Sequence, residues 1–353
     1  MPTLKELAAH VGLSVSTVSV VLRGEAEQRK ISSITQEKIW KAVQELGYQP
    51  NISARRLRNQ FEEGSLTIAL FWASDFRAPL MIRFLRGIQK ATLASSKKYE
   101  IVIHPYISGK LSKETALNGL NTFNAAIVCN ASIVDMAFLE GGKFHVPIIL
   151  YNRHSEKFCT VRVDDARLGI VTAEVFASRG HRHVGVLNSR EQFPGLGTRV
   201  DNFLNRGESL GMDCSLMLEY DNSMAGGYEG GREIYDSLSK GRRLDCIFCA
   251  SDAMAIGALR AFHERGVRIP EDIELISIGN GDKEQEEYSY PSLSVVHLPM
   301  ERMARNCFDM LQDLLDHKIA PPYSIELPVE YIPRESCGPL LLEDAQSPLG
   351  YRR

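Results

Sequence analysis

The chain has 353 residues, of which 44% are hydrophobic and 24% charged. That is room for two or three packed units at ~150 residues each and too apolar for wholesale disorder. No run approaches the ~18 consecutive apolar residues of a membrane helix, and seven scattered cysteines suit a reducing cytoplasm better than a disulfide scaffold.

The net charge of -3 is unevenly spread. Residues 1–60 carry nine Lys/Arg against five Glu, and the rest of the chain carries 32 basic and 39 acidic residues. A basic head on an acidic body is expected to meet a polyanion through the head alone. The start, Met1-Pro-Thr-Leu-Lys-Glu-Leu7, soon turns amphipathic and does not read as a signal peptide, so the expected compartment is the cytoplasm.

Thr3-Leu-Lys-Glu6 is a capping box, in which threonine and glutamate each satisfy a free backbone donor. Leu4, Leu7, Ala8 and Val11 follow at helical spacing and predict a first helix. Gly12 offers a left-handed stop, and Ser14 caps a second helix over Val15–Leu22. Val18, Val21 and Leu22 would face inward, while Ser16, Thr17, Ser19 and Val20 present short side chains that allow close approach to a groove. A third helix fits Thr35–Leu46, with Ile39, Val43 and Leu46 inward and Gly47 past its end. A helix, a glycine turn and a short helix within about twenty residues form the helix-turn-helix pattern, whose second helix enters the DNA major groove. A three-helix packing unit without that role is the alternative. Pro50 forces its predecessor out of helical geometry, and the basic segment Asn51–Gln60 is too short to hold a helix alone.

From Leu66 the chain alternates β-rich and helical runs. Expected strands are Leu66–Trp72, Tyr99–Pro105, Ala125–Asn130, Val146–Asn152, Val184–Leu187, Cys246–Ala250 and Leu275–Ile278; expected helices include Leu80–Ser95, Arg167–Arg179, Ala253–Arg265 and Met300–Leu315. Such alternation predicts parallel sheets with helices on both faces, and two sets divide near Val161.

Signs of enzyme or metal chemistry are weak. Cys246 and Cys249 spell C-x-x-C, but on a strand that spacing points the thiols to opposite faces. Gly226-Gly-Tyr-Glu-Gly-Gly231 is followed by Arg232, not by the Lys-Ser/Thr of a phosphate loop. His181 and His183 lack a third ligand nearby and read as capping or packing residues, and Asp252 reads as a helix N-cap.

Several phrases together resemble the lactose-repressor (LacI) family of bacterial transcription regulators, over roughly residues 2–337. In the head they are Thr3-Leu-Lys-Glu-Leu-Ala-Ala, Val11-Gly-Leu-Ser-Val-Ser-Thr-Val-Ser and Gly47-Tyr-Gln-Pro-Asn-Ile-Ser-Ala-Arg-Arg-Leu57. In the body they are Val161-Arg-Val-Asp-Asp165, Gly180-His-Arg-His183, Ala250-Ser-Asp-Ala-Met-Ala-Ile-Gly257 and Arg265-Gly-Val-Arg-Ile-Pro-Glu-Asp-Ile273. The resemblance implies an all-α helix-turn-helix head plus an α/β two-lobed periplasmic-binding-protein-like core of two parallel doubly wound sheets. Residues 1–50 would be the head and 51–61 a hinge helix. Residues 62–160 with 292–322 would form the N-terminal lobe, 161–291 with 323–337 the C-terminal lobe, and 338–353 a tail. The chain would cross between lobes near Thr160–Val163, Tyr290–Ser292 and Pro321–Tyr323, with a last strand Ile325–Tyr331 returning to the second lobe.

The implied function is sequence-specific transcriptional regulation, as a repressor bound as a homodimer to palindromic double-stranded operator DNA. Helix Leu80–Ser95 is the expected dimer contact. A small effector, carbohydrate or related, would sit at the strand ends of the core; no cofactor, metal or membrane is implied. A cytoplasmic solute sensor and an activator without an effector are the alternatives. The implied DNA contacts are Thr3, Ser14, Val15, Ser16, Thr17, Ser19 and Val20 in the head. In the hinge they are Asn51, Ala54, Arg55, Leu57 and Arg58, with Leu57 wedged between base pairs. The implied effector contacts are Phe76, Asn152, Arg199, Ser251 and Asn280. Departures stand out: Val20 replaces a frequent arginine, and Gly24–Lys30 is about three residues longer than usual. Asn152 and Gly279 stand where aspartates are common, and Ala225 where an aromatic is.

Overall fold

The computed structural model describes residues 3–22, 25–26, 28–46, 48, 65–75, 77–118, 123–191, 193–279, 281 and 283–338. The head opens with α1 (Leu4–Val11), capped as the sequence predicts: the Glu6 amide donates to Thr3 Oγ1 at 3.3 Å and the Thr3 amide donates to Glu6 Oε2 at 2.6 Å. The Thr3 amide and the Thr3 hydroxyl, which both donate to the Glu6 carboxylate, hold that carboxyl below its usual range. Gly12 closes the helix at a φ of 67°. In α2 (Val15–Leu22), Ser14 Oγ accepts from the Thr17 amide at 3.0 Å. The third helix, α3 (Ser33–Leu46), starts two residues before the expected Thr35, because Ser32 Oγ accepts from the Thr35 amide and caps it. Leu7, Val11, Val18, Leu22, Ile39 and Val43 make the core of the head, and Ala26 of the long α2–α3 connection is buried with them.

The first lobe contains β1 (Leu66–Ala73), α4 (Met81–Ala94), β2 (Tyr99–Tyr106), β3 (Ala125–Cys129), α5 (Ile133–Gly141), β4 (Ile148–Tyr151) and β5 (Cys159–Val163). The second carries α6 (Asp165–Ser178), β6 (His183–Ser189), α7 (Pro194–Ser209), β7 (Asp213–Tyr220) and α8 (Met224–Ser239). It continues through β8 (Cys246–Cys249), α9 (Asp252–Glu264), β9 (Glu274–Gly279), α10 (Lys283–Tyr288) and β10 (Ser294–His297). Then α11 (Met300–Leu315) and β11 (Ser324–Leu327) return to the first lobe, and β12 (Glu330–Ile332) to the second. The strand orders are β11-β5-β4-β3-β1-β2 and β12-β10-β9-β8-β6-β7. Each follows a doubly wound pattern, and β12 runs antiparallel to β10 at the edge of the second sheet.

Two sequence expectations need correction. Residues 294–297 form β10, paired in register with β9, so the chain stays in the second sheet past 292 and the compact units divide at Met300 and Glu301. The crossing expected near Thr160–Val163 is where the compact units divide, between Arg162 and Val163, at the end of β5, which pairs with β4. The single last strand Ile325–Tyr331 is two strands in two sheets, because Pro328 brings no backbone donor and ends the first.

The glycine run 226–231 lies inside α8, where it lets α9 approach: a Cβ on Gly227 would stand 2.0 Å from the carbonyl oxygen of Met254. In the first lobe α4 is tied to α11 by Arg83, whose Nε and Nη2 donate to the two Glu301 oxygens at 2.8 and 2.6 Å. Among the described residues no single helix is long and apolar enough to cross a membrane.

At the start of β9, Glu274 accepts from Arg179 Nε at 2.6 Å, His181 Nε2 at 2.7 Å and Cys337 Sγ at 3.1 Å. His181 is thus a packing residue whose Nε2 bonds to Glu274. Burial opposes ionisation of Glu274, but the His181, Arg179 and Cys337 donors outweigh it and hold the carboxyl down to about 2. A folded value below the unfolded one stabilises the fold above the ordinary glutamate range, and that contribution disappears as pH falls toward the folded value. On the order of 3 kcal/mol is at stake. Denaturant titrations should therefore show Glu274→Gln well below wild type at pH 7 and close to it only near pH 2; a gap that is constant with pH would contradict the assignment.

Candidate functional site

The exposed face of α2 is built from small side chains. Ser14 Oγ lies 2.8 Å from both Ser16 Oγ and Thr17 Oγ1, so one capping hydroxyl aligns the two that follow it. Val15 and Ser16 are exposed, and Thr17, Ser19 and Val20 are half-buried. No acidic residue sits in the first turn of this helix and no basic residue in the last. Exposed Arg29 and Lys30 lie in the connection that follows, Lys30 with a φ of 55°. Thr3 is exposed, and its hydroxyl serves the α1 cap. Asn51, Ala54, Arg55, Leu57 and Arg58 lie outside the described residues, as do Gly47 and Pro50.

In the first lobe, polar groups gather where strands end. Arg77 follows β1 and is buried; its amide and Nε donate to Asp75 Oδ1 at 2.9 and 3.0 Å, and Nη2 donates to the Asn130 carbonyl at 3.1 Å. Asn130 after β3 and Asn152 after β4 both adopt left-handed backbone, with φ of 61° and 51°. Asparagine tolerates that region better than most residues. Arg153 donates to the Asn152 and Ala131 carbonyls and locks the turn after β4. Asp135 on α5 anchors the adjacent loops, accepting from the amides of Gly109, Leu111 and Ser132 and from the Ser132 hydroxyl. Asn152 therefore lies among these groups, while Phe76 is outside the described residues. The sequence reading missed Asn130. It is buried, and its Nδ2 has no hydrogen-bond partner among the described residues. Its only signal was an asparagine closing an apolar strand.

In the second lobe, Ser251 is the N-cap of α9, accepting from the Met254 amide at 3.3 Å while its hydroxyl donates to Asn222 Oδ1 at 2.7 Å. Asp252, expected to be that cap, is instead the first helical residue and accepts from the Gly281 amide at 2.6 Å. Glu191 accepts from the Asn222 amide at 2.8 Å and the Ser189 hydroxyl at 2.9 Å. Arg199 is 2% exposed and pairs with Asp165, so it is not an open clamp. Gly279 has no room for an aspartate: a Cβ there would lie 2.7 Å from Glu286 Oε1 and 2.8 Å from Val295. Ala225 is exposed on α8, and Asn280 lies outside the described residues. Cys246 and Cys249 are both buried in β8, where burial pushes their thiols up and away from nucleophilic form.

Comparison with known proteins bears on these surfaces. Residues 3–51 match the model of bacterial regulatory proteins of the lacI family, and residues 173–337 that of a periplasmic binding protein-like domain. The HTH-type transcriptional repressor PurR of Proteus mirabilis is 25% identical over 352 residues, covering 97% of this chain and 99% of its own length. A LacI family transcription regulator from Clostridium acetobutylicum is 30% identical with a TM-score of 0.73, matching over 76% of this chain and 99% of that one. The lac repressor dimer, solved with operator and the anti-inducer ONPF, is 20% identical with a TM-score of 0.68 over 96% of this chain and 99% of that one.

Proposed function

The chain belongs to the lacI family of bacterial regulatory proteins, and we propose that it is a transcriptional repressor. It binds a near-palindromic operator as a homodimer and responds to a small polar effector at the strand ends of its core. The observation that carries this reading is a folded three-helix head whose α2 offers exposed Val15 and Ser16 behind a tight serine cap. Such a face reads thymine methyls and hydrogen-bonding base edges, since no arginine is there to fork onto guanine. Two heads related by protein symmetry would read two half-sites related by DNA symmetry. Asn51, Ala54, Arg55, Leu57 and Arg58 would serve the hinge contact.

Pairing of two chains is supported by α4 and the edge strand β2. Ile82 and Leu93 are exposed on α4, and Ile82 lines a groove of about 390 Å³ with Leu85, Gln89, Thr92 and Ile101. An apolar helix face at an open sheet edge suits a self-complementary contact.

Selection from random duplex DNA with the full chain tests the proposal. The expected product is one enriched sequence with two inverted half-sites. Ser16→Ala should weaken that site about tenfold, as should replacing a contacted thymine by uracil, which removes only the methyl group. A pool that enriches no common sequence would overturn the reading.

A further inference from the structure

The head and the first lobe, which belong to one compact unit, meet through a pair of rings. Trp40 of α3 stacks on His145 of the connection between α5 and β4, with ring centroids 5.0 Å apart and planes 6° from parallel. Each ring is steadied by its own body. Trp40 is half-buried and packs against the head core that Ile39 and Val43 help to form. On the other side, Phe144 and Val146 flank His145 and both pack against the core of the first lobe. The Phe144 ring lies 5.6 Å from Phe138 and 6.0 Å from Phe158. The Pro147 carbonyl accepts from the Ala126 amide at 2.9 Å. His145 itself is exposed, so a clamped backbone offers an accessible ring to the head.

Such a contact is detachable. An aromatic pair shifts an equilibrium only about two- to tenfold, and with His145 at the surface the stack forms or breaks without opening either core. While it is formed, α2 stays open: Val15 is 41% exposed, and Ser16 is exposed as well.

We propose that His145 is a docking post for the head: Trp40 seats on it and holds the head in one orientation on its own first lobe, with the reading face of α2 accessible. Orienting the head in advance lowers the entropy that DNA binding must otherwise give up. The stack therefore strengthens operator binding without touching DNA, and His145 is a positioning residue acting through Trp40. The affinity consequence rests on the reading of the chain as an operator-binding regulator; the docking does not.

The test uses the full chain, whose two tryptophans are Trp40 and Trp72. Trp72 is 2% exposed in β1, and Trp72→Phe leaves Trp40 as the sole reporter of the head. Its fluorescence anisotropy, followed without DNA, should decay slowly with the tumbling of the whole particle. His145→Ala should add a fast component from a head that turns by itself, and should weaken operator binding about fivefold. His145→Phe, which restores a ring, should reverse both effects. A wild-type decay that is already fast overturns the proposal, as does a decay or an operator affinity that His145→Ala leaves unchanged. Failure of the phenylalanine to rescue overturns it too, since loss of the ring is then not the cause. If Trp72→Phe does not fold, the otherwise unaltered chain labelled with fluorotryptophan gives two fluorine resonances. One of them should move in His145→Ala, and two unmoved signals would overturn the docking. A chain that binds no operator at all refutes the regulator reading, and the anisotropy still decides whether the head is docked.

Discussion

Gly169→Ala is expected to lower the melting midpoint of the protein by roughly 10 °C. Gly169 lies in α6 where it crosses α7, and a Cβ built on it would stand 2.0 Å from the backbone carbonyl oxygen of Arg199 and 2.8 Å from the Phe203 amide nitrogen. Neither atom belongs to a side chain that can swing aside, so the helices must separate. That separation strains the contact of Phe203 with Phe176 and Phe248, whose rings lie 6.3 and 4.5 Å away. Overpacking against backbone costs about 3 kcal/mol or more, and each kcal/mol moves the midpoint of a unit this size by about 2–4 °C. Gly197→Ala on α7 is the internal control. Nothing lies within 4 Å of a Cβ there, and alanine is the better helix former by about 1 kcal/mol. Thermal unfolding of the two variants side by side decides the matter: equal midpoints would mean that the α6–α7 crossing relaxes freely.

Leu57→Ala is expected to weaken operator binding roughly 100-fold while changing affinity for random duplex by much less. The resemblance to the family gives Leu57 the role of a wedge between base pairs, and residue 57 lies outside the described residues. Unstacking a step costs a few kcal/mol, offset by the protein surface that the bent duplex then reaches. Non-specific binding rests on phosphate contacts and needs no wedge. Titrations of both DNAs at one salt concentration give the ratio. Equal losses would place Leu57 among the general contacts, and no loss would remove it from the interface.

The head was legible almost residue by residue. Its caps are local: Thr3 with Glu6, Ser14 with Thr17, and Gly12 at the turn each act within three or four positions along the chain. The same locality explains the one late boundary there. Ser32 and Ser33 both precede Thr35, and only geometry shows that Ser32 is the cap.

In the core, strand and helix alternation announced two doubly wound sheets, because buried parallel strands must be apolar and their crossovers helical. The element types and the helix Met300–Leu315 were readable for that reason. Which sheet each late strand joins was not. Ser294–His297 and Ser324–Leu327 are both short runs; the first joins β9, the strand just before it, and the second joins β5, far earlier in the chain. Pairing choices of that kind are settled by long-range register, which leaves no local mark.

The effector face divides in the same way. The resemblance to the family implied Arg199, Ser251 and Asn152 as effector contacts and marked Gly279 as a position where an aspartate is common. Only the tertiary structure decided what those groups do, because a side chain's chemistry depends on what shares its space. Asp165 is 34 positions from Arg199 yet neutralises it, Glu286 fills the volume that a side chain at Gly279 would need, and Ser251 is partly spent on capping α9. Local patterning therefore determined the three-helix head, while the surroundings of the core's polar groups follow from contacts between residues that the chain brings together only on folding.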